Sequence, residues 1–335
     1  MIMNAIDVHS HIVPADFPVA PTSCAAAWPR TEHRAKNQAM IMMGNKEFRL
    51  VDHRCWDVER RISDMDSEGV GMHVLSPMPE LLSYWIDALP ALELSRHING
   101  VIAEMVAKKP SRFCGLGMIP LQDPDLAAKE LSVLKNDYGL RGIEIGTSIN
   151  GRPPGDPMFD IIFAEAERLD LCVFIHALHP PATDRVLGAV QLLNFILYPT
   201  DVGLAAASLI TTNILGRHPK LRVGFSHGGG TLPGFIHRMD SGWKRFESLN
   251  TKFEAPLRTA KRFYYDNVVY DRHYLRHLTE VFGISQIFVG SDYPFNGAQE
   301  NSAAMFDEMN LSPEDMAKVR FENAARFLNI EFASN

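Results

Sequence analysis

NAIDVHSHIVP (residues 4–14) sets two histidines, His9 and His11, two positions apart inside an apolar, β-branched run. In an extended strand residues i and i+2 share a face, so the two imidazoles project side by side. That arrangement suits two ligands of one metal ion, and equally two hydrogen-bonded core histidines. Seven further runs of the same character follow: GMHVLS (71–76), FCGLGMI (113–119), LRGIEIG (140–146), LCVFIHA (171–177), LRVGFSHGG (221–229), FYYDNVVY (263–270) and QIFVGSD (286–292). Amphipathic stretches at 57–69, 123–139, 156–170 and 272–283 lie between them, several opening on Asp and closing on Gly. Strands apolar almost throughout, alternating with helices, predict a parallel sheet covered by helices. Eight such units predict an α/β fold, a closed (β/α)8 TIM barrel, as one domain over residues 1–335.

Residues 15–55 break the rhythm. Rich in Pro and Ala and without a clear period, they follow the first strand, which places them at the C-terminal rim where barrel active sites form. We read them as a rim insertion.

The 335 residues carry a net charge of −7, with 46% hydrophobic and 22% charged residues. No basic stripe points to nucleic acid. The four cysteines show neither CxxC spacing nor a disulfide framework. No secretory leader and no membrane span of about 18–20 apolar residues is read from the chain. Its most apolar stretch, 187–215, is interrupted by YPTD and is expected to form buried helices. The expectation is a soluble, cytoplasmic protein.

Other strand ends alter the weight of the first pair. CVFIH ends in His176, VGFSH in His227 and IFVGSD in Asp292. Each falls where barrel enzymes keep their chemistry. Four strands delivering His, His, His and Asp to one rim favour a metal site. A set of N and O donors without thiolates suits a catalytic divalent ion, zinc first and another divalent metal second, with no organic cofactor. We assign His9, His11, His176 and Asp292 as ligands, Asp292 also serving the chemistry, and His227 as the general base or acid beside a metal-bound water. Glu144, in RGIEIG, is a further acid that could reach the site or pair within the barrel. The glycines 228–230 read as close-approach backbone, since no phosphate-binding pattern follows.

DVHSH, the histidine after the fifth strand, SHGGGTLPGFIHRMDSGWKR (226–245) and GSDYPF (290–295), together with IMMGNKEFR (41–49), CWDVERRISDMDSEGV (55–70) and IPLQDPDLAAKEL (119–131), resemble the amidohydrolase superfamily in its decarboxylase branch. The resemblance spans nearly the whole chain. It implies a zinc-dependent decarboxylase of an unsaturated or aromatic carboxylic acid, with His227 activating the metal-bound water. It implies that Arg49 binds a substrate carboxylate and that Arg238 reaches the neighbouring subunit's site in a homodimer. Phe295 is expected to stack on a flat, conjugated substrate, or to pack at the rim. The chain departs from the branch after His176, where HALHPPATDR replaces a Pro-Trp turn. His179 there could contact substrate or cap a turn. A metal-dependent hydrolase acting on a lactone, amide or C–C bond is the alternative that the ligand set alone leaves open.

Overall fold

The computed structural model describes residues 5–189, 192–295 and 297–331. Strand β1 (Ala5–Ile12) opens the chain, and β2 (Pro29–Ala35), β3 (Gln38–Met43) and β4 (Lys46–Asp52) follow within the rim segment. The barrel continues with β5 (Val70–Pro77), β6 (Phe113–Gly117), β7 (Gly142–Gly146), β8 (Cys172–His176), β9 (Arg222–Phe225) and β10 (Tyr264–Tyr265). The main sheet runs β1-β5-β6-β7-β8-β9-β10, every neighbouring pair parallel. Helices Val58–Glu68, Ala88–Lys108, Pro124–Asn136, Asp160–Arg168 and Leu193–Thr211 are among those that connect the strands. Asp57 and Asp123 cap two of these helices by accepting from backbone N–H groups, and Gly69 ends the first in a left-handed conformation.

Where an eighth strand was expected, the described backbone makes parallel bridges instead. Val289 bridges Asp7, Tyr293 bridges Ser10 and Ile287 bridges Tyr265, closing the sheet on itself. Side chains interrupt this ladder. Asn267 Oδ1 accepts from Gly290 N in place of a carbonyl, and Asp7 Oδ1 shares Ser291 N with the His9 carbonyl. The seventh strand is short for a similar reason: the Asp266 carboxylate takes the N–H groups of Gly228 and Val268. The fold is the TIM barrel.

A β-bulge in β1 prepares the site. Asp7 pairs with His73 and Ser10 with Leu75, so three steps on β1 match two on β5. Ile6 and Val8 pack with Phe174 and Phe288 in one inner cluster. Within the bulge the His9 ring meets Phe174 edge-on at 5.3 Å, so the apolar pair and the histidine share the interior. Phe321, Phe327 and Leu328 close that cluster from the C-terminal segment.

Two expectations change in detail. The rim segment forms an antiparallel sheet, β2-β3-β4, with a turn at Gly44–Asn45 between its last two strands. YPTD does not interrupt a helix, since Leu193–Thr211 is continuous through Pro199. The Pro199 carbonyl accepts from Thr231 N at 3.0 Å, and a Cβ on Gly230 would collide with that oxygen. Glycine there permits the contact between SHGGG and this helix. Among the described residues this is the one helix long and apolar enough, by length and composition, to cross a membrane; 44% of it is buried within the chain, while Phe195, Ile196 and Leu204 are exposed.

Candidate metal centre and its cavity

His9, His11, His176 and Asp292 each present one ligand atom, all within 4.8 Å of one another. His9 Nε2 and His11 Nε2 are 3.1 Å apart. Asp292 Oδ1 lies 3.1 Å from His11 Nε2, 3.4 Å from His9 Nε2 and 3.9 Å from His176 Nε2. The backbone at Asp292 is left-handed (φ 65°), which turns the acid back over the strand end.

The remaining nitrogens fix the ring orientations. His9 Nδ1 contacts Asp266 Oδ2 at 2.6 Å, His11 Nδ1 contacts the Pro77 carbonyl at 3.0 Å, and His176 Nδ1 contacts the Ala177 carbonyl at 2.8 Å. His176 Nε2 is buried and, 3.9 Å from Asp292 Oδ1, has no close hydrogen-bond partner among the described residues. A buried imidazole nitrogen without a close partner, turned toward two other imidazoles and a carboxylate, is placed as a metal ligand would be. The residues fit a divalent ion.

Burial alone would lower His9, but hydrogen bonds to Asp266 and Asp292 overcome it and raise its pKa to about 10. Burial also drives His11 down to about 3. Asp292, which burial would raise, is held well below the carboxylate range by His11, His176 and His9.

His227 stands beside the cluster after β9. Its Nδ1 lies 2.9 Å from Ser226 Oγ and its Nε2 lies 4.0 Å from Asp292 Oδ2. Burial, then the neighbouring His176 and His9, lower its pKa to about 3. Glu144 is fully buried outside the four-residue group. Its Oε2 accepts from Ser76 Oγ at 2.6 Å and lies 3.6 Å from His11 Nδ1, and burial raises its pKa to about 7.

A cavity of about 850 Å³ opens onto the cluster, lined in part by Arg49, Glu80, Tyr198, His227, Asp292 and Phe295. The Phe295 ring stacks on His11 (5.6 Å, 25°), and the Arg49 guanidinium lies 4.7 Å over the Phe295 ring. Two other expected residues lie elsewhere. His179 is exposed with its ring 4.6 Å from that of Trp85, and it does not line the cavity. Arg238 is exposed on the helix Leu232–Arg245, outside its own chain's cavity.

Sequence reasoning missed three residues. Asp266, an acid among aromatic and β-branched neighbours in YYDNVV, carried a signal, because a buried carboxylate needs a partner. Glu80 and Tyr198 carried none, since a turn and a helix from distant parts of the chain bring them to the cavity.

The amidohydrolase family model matches residues 6–330. A 2-amino-3-carboxymuconate-6-semialdehyde decarboxylase from Dictyostelium discoideum is 33% identical over 293 residues, covering 87% of this chain and 81% of that protein. The chain belongs to the amidohydrolase family. Within the superfamily it falls in the decarboxylase branch, as an enzyme of the carboxy-lyase class. Two solved structures share the fold. The 5-carboxyvanillate decarboxylase from Sphingomonas paucimobilis superposes with a TM-score of 0.80 at 23% identity, over 98% of this chain and 100% of that one. A dihydroxybenzoic acid decarboxylase from Polaromonas sp. JS666, with bound manganese, superposes with a TM-score of 0.76 at 20% identity, over 97% of each chain.

Proposed function

We propose that this amidohydrolase removes CO2 from an unsaturated or aromatic carboxylic acid, 2-amino-3-carboxymuconate 6-semialdehyde or a close analogue being the leading substrate. One observation carries the reading: the Arg49 cation over Phe295, itself stacked on His11, sets a carboxylate-binding group and a flat ring directly beside the ligand cluster. The Dictyostelium relative supports the muconate, and the Polaromonas and Sphingomonas enzymes support an aromatic acid of similar shape.

His9, His11, His176 and Asp292 would hold the ion, proposed as zinc, with manganese, which the Polaromonas structure contains, as the alternative. Bound there, it would supply positive charge against a carboxylate and Lewis acidity toward water. Arg49 grips a carboxylate through its planar fork. Phe295 lies against the conjugated plane. His227, kept neutral by burial, offers Nε2 as a base that takes a proton from water and returns it to the carbon bearing the scissile carboxylate. The electron pair of the breaking C–C bond then restores the conjugation lost when that carbon took the proton, CO2 departs, and the hydroxide left behind regains a proton from solvent. The proposal includes a cytoplasmic homodimer in which Arg238 reaches the neighbouring cavity, supported by its exposure away from its own.

The test is CO2 release by the metal-loaded protein from the muconate and from a panel of hydroxybenzoic acids. Release that disappears in His227→Ala supports the reading. Hydrolysis of a lactone or amide without any CO2 release overturns it.

A further inference from the structure

The two arginines that line the cavity are held differently. Arg54 is satisfied by Asp52, with Nε 2.9 Å and 3.0 Å from the two carboxylate oxygens and Nη2 2.8 Å from Oδ2. Arg49 has a single hydrogen-bond acceptor among the described residues, Glu80 Oε1, at 3.3 Å from Nη2. That is long for a charge-assisted bond, which runs at about 2.7–2.9 Å. Most of the Arg49 fork is therefore free for a ligand.

Glu80 is unusual in a cavity built for anions. It sits on the buried turn Pro79–Leu82 that follows β5, only 5% exposed, and it lines the cavity. Its Oε2 is buried and has no donor in good hydrogen-bond geometry among the described residues, although the Tyr198 hydroxyl lies against the Glu80 carboxylate. A buried carboxylate oxygen without a donor is unstable unless something else supplies one. Tyr198 borders the same cavity; burial, then the Glu80 charge and a contact of its hydroxyl with that carboxylate, keep the hydroxyl protonated, so Tyr198 is at most a weak partner of Glu80.

We propose that Glu80 is a specificity residue that accepts an N–H or O–H group of the substrate, beside the carboxylate taken by Arg49. The spacing sets the ligand class. Because Arg49 Nη2 and Glu80 Oε1 are 3.3 Å apart, the groups they bind are neighbours on the ligand. The class is a planar, unsaturated acid with an amino or hydroxyl donor on the carbon that bears the Arg49-bound carboxylate. This rests on the decarboxylase reading only in making that acid the substrate; the leaving carboxylate is then a second one. A flat acid lacking the donor leaves the Glu80 carboxylate uncompensated, so the pocket selects against it.

The test uses two isosteric probes, pyrrole-2-carboxylate with a ring N–H next to its carboxylate, and furan-2-carboxylate with a ring oxygen there. Binding to the metal-loaded enzyme is measured by titration calorimetry for the wild type, Glu80→Met and Glu80→Gln. The expected result is about tenfold tighter binding of the pyrrole acid by the wild type. That ratio falls to about one in Glu80→Met and to an intermediate value in Glu80→Gln, which keeps the shape and a neutral acceptor. Should Glu80→Met fail to fold, a fall in the ratio for Glu80→Gln carries the test. A wild-type ratio near one, a ratio unchanged in the variants, or no binding of either probe overturns the proposal. CO2 release is assayed on the same preparation. A ratio near ten without turnover of any acid leaves the Glu80 subsite standing and removes the decarboxylase reading; turnover with a ratio of one does the reverse.

Discussion

Asp266 Oδ2 lies 2.6 Å from His9 Nδ1, with both side chains fully buried. The contact assigns the two nitrogens of His9 different work: Nδ1 faces the carboxylate and Nε2 faces His11 and Asp292. The same carboxylate, through Oδ1, takes the backbone N–H of Gly228, one residue past His227. A single acid thus orients a proposed ligand and anchors the turn that carries the proposed base.

Asp266→Asn is expected to weaken divalent-ion affinity about 10–100-fold, the usual cost of losing such a partner. Competition with a chromophoric chelator measures it. Activity lost at limiting metal should return in part at high metal. Wild-type affinity in the variant would show that the contact does not set the His9 tautomer.

Metal binding should release about one proton per chain at neutral pH. In the metal-free chain His9 has a pKa of about 10, so it is protonated on both nitrogens at pH 7 to 8. A ligand nitrogen must give up its proton. Because the His9 pKa is raised, affinity falls as pH drops below about 10, by about tenfold per unit. His11, lowered to about 3, adds nothing in that window. Calorimetry in buffers of different ionisation enthalpy counts the protons, and a count of zero contradicts the assignment.

Arg61 supports the site from behind. Fully buried on the helix Val58–Glu68, it donates from Nη2 to the His11 carbonyl at 2.5 Å and to the Arg54 carbonyl at 3.0 Å, and its guanidinium lies 4.8 Å over the Tyr293 ring. Arg61→Met is expected to cost about 3 kcal/mol, because it strips donors from buried carbonyls. Urea unfolding measures this, and a loss under about 1 kcal/mol would place those carbonyls in other hands.

Arg49→Lys should raise KM about tenfold while changing kcat much less. An ammonium is a point charge that cannot reproduce the fork or its stacking on Phe295. Steady-state kinetics of CO2 release separate the two effects. An equal fall in kcat at constant KM would move Arg49 from binding substrate to stabilising the transition state.

The barrel was legible in the sequence because its strands are buried on both sides and read as apolar runs at regular intervals. The first seven of these runs contain strands of the sheet. The gathering of His9, His11, His176 and Asp292 was legible because period-two spacing and strand ends bring these four side chains to one place. Features set by side chains bonding to backbone were not. Nothing in QIFVGSD announces that Asn267 would take the Gly290 N–H from the ladder or that Asp7 would share that of Ser291. The β2-β3-β4 sheet was hidden because exposed antiparallel strands such as PRTEHRA carry little apolar signal. Glu80 was invisible for a different reason: its meaning lies in its distance from Arg49, 31 residues away along the chain.

The most direct measurement is metal content and CO2 release on one sample, stripped of metal and then titrated with zinc or manganese, for the wild type and for His176→Ala. The account predicts one ion per chain, CO2 release rising in proportion to occupancy, and loss of both in the variant. Full release by the stripped protein, or undiminished metal binding and turnover in His176→Ala, would contradict it.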